Sequence, residues 1–84
     1  MTKLDADQVI AWTTKYLTDF LDLPPEAFDL DAEFAALGLD SVDSVIIGGA
    51  FEETFNCEID ATLFLRNANL RSLIDDLRQS GLVA

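Results

Sequence analysis

Over residues 5–22, Val9, Trp12, Thr13, Tyr16, Leu17, Phe20 and Leu21 recur at three- and four-residue spacing and so share one face of a helix. The pattern predicts an amphipathic helix with that face buried. Asp5 and Asp7 lie near its start, where carboxylates complement the helix dipole. Pro24 and Pro25 forbid its continuation. Residues 23–40 show no sustained period. Connections this long are uncommon in compact domains unless functional or pinned by their own apolar residues. Phe28, Leu30, Phe34, Leu37 and Leu39 are the expected pins, and Gly38 fits a tight turn before the next element.

A second helix is expected from Asp40 or Ser41, either a good N-cap, to about Phe55. Ile47, Phe51 and Phe55 make an i, i+4, i+8 stripe facing the core, and Val45 is also expected there. Val42, Ile46 and Gly49 fall on a neighbouring stripe, and Glu52 and Glu53 give a polar end. Gly48 and Gly49 each cost about 1 kcal/mol relative to alanine in a helix interior. Close packing of another element is the expected reason for them. Residues 61–67 are short enough for one helical turn. Asn69 then caps a last helix that buries Leu70, Leu73, Ile74 and Leu77 and stops at Gly81. The expected fold is all-α: a four-helix bundle over residues 1–84, with three longer helices, one short one and a long first loop.

Charge narrows the partners. Sixteen acids face five bases, a formal net charge of −11, and the bases are Lys3, Lys15, Arg66, Arg71 and Arg78. Between Lys15 and Arg66 there is no base, yet twelve of the acids lie there. Such a surface repels phosphate backbones and anionic headgroups, which excludes nucleic acid, and it suits basic patches on other proteins. No stretch approaches the roughly 20 apolar residues of a membrane span, and the start lacks the order of a signal peptide. Cys57, the only cysteine, has no internal partner and reads as a small core residue. A cytoplasmic monomer without membrane insertion is expected.

Catalytic readings fail on composition. The chain has no histidine to activate a serine and no Gly-x-Ser-x-Gly turn. Asp29-Leu30-Asp31-Ala32-Glu33 begins like a calcium loop, but Phe34 stands where that loop requires glycine. No metal is expected, and an unmodified acidic adaptor for a basic partner stays open.

The segment Leu37-Gly38-Leu39-Asp40-Ser41-Val42 resembles the phosphopantetheine attachment signature of acyl carrier proteins: Leu-Gly, a variable residue, Asp-Ser, then an aliphatic residue. The resemblance extends from the first helix to the Leu70–Leu77 stripe and includes Phe55 and Ile59 at the close of the second helix. It implies a carrier without catalytic residues, bearing 4′-phosphopantetheine covalently on Ser41. A phosphopantetheinyl transferase, using coenzyme A and Mg²⁺, would install the arm. It also implies a partner surface of Leu39, Asp40, Val42, Asp43, Ile46, Glu52 and Glu53. That surface would face basic docking patches on enzymes that load, condense or transfer acyl groups. Asp40 before the serine favours an acyl over a peptidyl or aminoacyl cargo. Val42, Ile46 and Gly48-Gly49 depart from housekeeping fatty-acid carriers, and Leu63 to Leu70 looks more like polyketide-synthase carriers. A specialised fatty-acyl or polyketide pathway is the resulting expectation. Helix-end physics agrees, because free N–H groups and the positive dipole end favour an attached phosphate.

Overall fold

A computed structural model describes residues 3–84. Three long helices carry the architecture: α1 (Ala6–Phe20), α3 (Ser41–Phe55) and α5 (Leu70–Gln79). Two single-turn helices, α2 (Phe34–Leu37) and α4 (Leu63–Arg66), lie between them, and Pro25–Ala27 form a 3₁₀ turn. The bundle is therefore all-α, as expected. The long first connection, however, is not featureless but carries α2 and the 3₁₀ turn.

Local chemistry sets each boundary. Asp5 caps α1 by accepting from the Asp7 amide at 2.9 Å. The helix stops before Pro24, where Asp22 takes a left-handed φ of 54° and the Leu23 amide donates back to the Thr18 carbonyl at 2.8 Å. Asn69 caps α5 by accepting from the Ser72 amide at 2.9 Å. Gly81, at φ 83°, ends that helix while the Leu82 amide donates to the Leu77 carbonyl at 2.9 Å. The two ends of the described chain then meet. The Leu4 amide donates to Leu82 at 2.8 Å, and the Ala84 amide donates to Leu4 at 3.1 Å.

Phe51 occupies the centre of the core. Its ring meets Trp12 of α1 edge-on at 5.6 Å, Phe55 at 4.7 Å and Phe64 of α4 at 6.3 Å. Val9, Thr13 and Leu17 from α1, Ile47 from α3, Leu63 from α4 and Leu70, Leu73, Ile74 and Leu77 from α5 complete it. Truncating Phe51 to alanine costs about 3–5 kcal/mol, a large part of the stability of a domain this small. Phe20, expected on the buried face of α1, is instead 45% exposed. The helix reaches its last turn there, and Phe20 stacks on Tyr16 at 5.7 Å rather than entering the core.

The long connection is pinned where the apolar residues fall. Phe28, Phe34 and Leu39 are buried, and Leu30 and Leu37 pack against the core. Its backbone is also tied to the start of α5: the Phe34 amide donates to Ala68 at 2.8 Å, and the Arg71 amide donates to Leu30 at 3.0 Å. Arg71 forks onto Asp31 at 2.7 and 3.1 Å. That engagement commits the Asp31 carboxylate to α5. No group of three or more acids or cysteines among the described residues is arranged to hold a metal. Among the described residues no helix is long and apolar enough to cross a membrane.

Candidate functional site

The motif Leu37-Gly38-Leu39-Asp40-Ser41 is a helix stop joined to a helix start. Gly38 has φ 104°, a left-handed conformation that glycine adopts without a Cβ penalty. Around it the Gly38 amide donates to Ala35 at 3.2 Å and the Leu39 amide to Phe34 at 3.0 Å, which closes α2. Leu39 then turns into the core at 6% exposure. It was expected on the partner surface. The structure makes it an anchor that fixes the loop beneath the site.

Asp40 is the N-cap of α3. Its Oδ1 accepts from the Asp43 amide at 2.8 Å, while Asp43 Oδ2 accepts from the Asp40 amide at 3.5 Å, a reciprocal capping box. The Ser44 hydroxyl donates to the Asp40 carbonyl at 2.9 Å. Of the two candidate caps, then, Asp40 does the work. Ser41 is the first residue of the helix proper, exposed, and its hydroxyl makes no hydrogen bond among the described residues. A serine acting as the N-cap would use its oxygen on a backbone amide. This one does not.

The surroundings fit a phosphodiester on that oxygen. The Ser41 and Val42 amides have no acceptor among the described residues, so the open end of α3 presents two donors beside the hydroxyl. No cation stands close in sequence. The arginines are occupied elsewhere: Arg66 by Asp76 at 2.8 Å and Asp60 at 3.3 Å, Arg71 by Asp31, and Arg78 by Asp75 at 3.7 Å. Asp40 and Asp43 oppose a bound phosphate electrostatically. The donors would therefore hold an attached group only at its root and leave the remainder to solvent.

The expected partner residues divide. Asp40, Val42, Asp43, Ile46 and Glu53 lie on the first turns or outer surface of α3, and all but the partly buried Asp43 are exposed. Glu52 is half-buried, and its Oε2 accepts from the Ile59 amide at 3.1 Å, which ties the segment after α3 back to the helix. Cys57 packs partly buried against the core, and burial, then the Glu52 charge, pushes its thiol pKa up. Val45 overturns the expectation of a core residue: it is 52% exposed. The core stripe of α3 runs through Ser44, Ile47, Gly48 and Phe51, and Val45 lies outside it. The glycines are also unexplained by packing. A Cβ built at Gly48 or Gly49 meets nothing within 4 Å.

A protein-family model described as the phosphopantetheine attachment site matches residues 11–77, which takes in most of α1, the long connection, Ser41, all of α3 and most of α5. Comparison with curated proteins and with solved structures gives no match.

Proposed function

Because the chain belongs to the phosphopantetheine attachment-site family, whose members carry covalent 4′-phosphopantetheine, we propose that Ser41 is the attachment residue. The arm supplies a thiol that holds cargo as a thioester. The free, exposed Ser41 hydroxyl on the first turn of α3, with Asp40 already serving as cap, is the observation that carries this reading. The chain's own residues hold and present that oxygen. Gly38 turns the loop, Leu39 anchors it, and the capping box fixes the first turn of the helix.

In this reading residues 1–84 act as one carrier domain, a cytoplasmic monomer that is substrate rather than enzyme. A phosphopantetheinyl transferase with coenzyme A and Mg²⁺ modifies it. Enzymes of fatty-acid, polyketide or related lipid biosynthesis then load and unload acyl groups. Asp40 favours acyl over peptidyl cargo, and Asp43 and Glu53 would steer basic docking patches towards Ser41.

Co-expression with a competent transferase tests the assignment by intact mass. One phosphopantetheinyl group should be added to the parent chain and none to Ser41→Ala. Modification persisting in Ser41→Ala would place the arm elsewhere. An unmodified parent chain would favour the acidic adaptor. Weighing the thioester trapped in the native host identifies the cargo.

A further inference from the structure

The three long helices each bring one end to the pole of the bundle opposite Ser41. Leu4 precedes α1, Phe55 to Cys57 close α3, and Gly81 and Leu82 follow α5. Together with Lys3 they line one groove of about 490 Å³. Helix α3 is 15 residues long, which puts the groove about 22 Å from Ser41 along the helix axis. The groove is largely apolar. Leu4, Phe55, Cys57 and Leu82 pack against the core on one side and stay partly open on the other.

Its surroundings are electronegative. The groove runs on past Cys57 and Leu82 into a second hollow walled by Glu52 and Glu58. Glu58 is exposed and makes no ion pair among the described residues. The carbonyls of Glu53, Thr54 and Phe55 at the end of α3 have no donor among the described residues, and the negative end of the helix dipole lies there too. Lys3 on the rim opposes these charges, with the exposed Asp5 two residues on. An apolar hollow beside open carbonyls and a free carboxylate suits an aliphatic side chain flanked by a cation.

We propose that this groove docks a partner protein through an extended segment in which an aliphatic residue is flanked by Lys or Arg. The aliphatic side chain enters between Phe55 and Leu82, and the cations meet Glu58 and the open carbonyls of α3. A second copy of this chain is a poor occupant, because each copy carries a net charge of −11. A partner held at the far pole leaves the Ser41 hydroxyl and the outer side of α3 clear. It therefore raises the effective concentration of the arm near its own sites without competing with the enzymes that act on Ser41. The groove does not depend on the carrier reading, whereas the advantage of leaving Ser41 clear rests on it.

Titration of the isotope-labelled full chain with the blocked peptide acetyl-Gly-Lys-Leu-Arg-Gly-amide, followed by amide shifts in NMR, tests the site. The largest shifts should fall at Leu4, Asn56, Cys57, Glu58 and Leu82, with those from Ser41 to Ile46 small. Serine in place of the peptide's leucine should weaken binding about tenfold, equivalent to 1.4 kcal/mol, a contact probed without touching the fold. Glu58→Gln should weaken it about two- to fivefold, as for an exposed ion pair. Glu33→Gln, the same charge change in the first connection, should leave affinity unchanged. Saturating peptide should not alter the rate at which a phosphopantetheinyl transferase modifies Ser41. Shifts centred on the outer side of α3, equal binding of the serine peptide, or modification blocked by the peptide would each overturn the site. A dimer in sedimentation that the peptide dissociates would give the groove to a second copy and overturn it too. A chain that is never modified, yet shows these shifts at the pole, would end the carrier reading and leave the docking site standing.

Discussion

Gly48→Ala should stabilise this protein, although substitutions that enlarge a buried residue usually do the reverse. Overpacking a filled core costs about 1–3 kcal/mol. Gly48 is buried in the middle of α3, yet a Cβ there meets no atom within 4 Å. The overpacking penalty is therefore absent. Two gains are left. Alanine in a helix interior is favoured over glycine by about 0.8–1.0 kcal/mol, and removing a methyl group from water adds up to about 0.8 kcal/mol. The second gain is not fully realised, because a methyl in open space lacks the dispersion contacts of a packed one. A net stabilisation of about 1–1.5 kcal/mol follows. For a domain this size it raises Tm by roughly 4–12 °C. Thermal melts and urea titrations followed by circular dichroism at 222 nm, one wavelength among several that report helix, read it directly. A lower Tm or urea midpoint would mean that the space beside Gly48 is filled in solution, and the reasoning from its open surroundings would fail.

Three further outcomes follow from the helix ends and the ion pairs. Gly38→Ala should lower stability by about 1–2 kcal/mol, because an L-residue is strained at φ 104°; an unchanged urea midpoint would show that the α2 stop does not need this conformation. Asp22→Gly should raise stability by about 0.5–1 kcal/mol, since it relieves a left-handed φ of 54° and removes an anion from the negative end of α1. A lower Tm would sink that argument. Acid should weaken the fold through three carboxylates. The Arg71 fork holds Asp31 below the ordinary 3.8, hydrogen bonds from Thr62 do the same for Asp60, and Arg66 with Asn67 does it for Asp76. A carboxyl lowered in the folded state contributes its full stability above the unfolded pKa and loses it as pH falls through the folded one. Relief of the net negative charge acts in the opposite sense. Comparison with Arg66→Gln therefore isolates the ion pairs: the parent's advantage in urea midpoint, present at pH 7, should shrink below about pH 4. An advantage that is constant down to pH 2 would contradict the assignment.

Legibility in the sequence followed a simple physical division. Where one face of a helix is apolar and the other polar, spacing alone located the core, as at Leu70, Leu73, Ile74 and Leu77, all buried in α5. The Asn69 cap and the Gly81 stop were equally visible, because they act through chemistry confined to a few residues; Asp5, expected only as a charge near the start of α1, proves to be its cap. The motif around Ser41 was legible for the same reason: Gly38 turns the chain, Leu39 anchors it and Asp40 caps the helix. Legibility was partial on α3. The spacing of Ile47, Phe51 and Phe55 marked the inward stripe correctly, but Val45, also expected in the core, is 52% exposed, because apolar residues flank that stripe and spacing alone does not separate them. The tertiary arrangement decides the matter: Ile47 and Phe51 are buried, and Phe51 packs against Trp12 and Phe64. The α2 turn was hidden for a different reason. Four residues are too few for a period, and α2 is held by the Phe34 amide reaching Ala68, thirty-four residues along the chain.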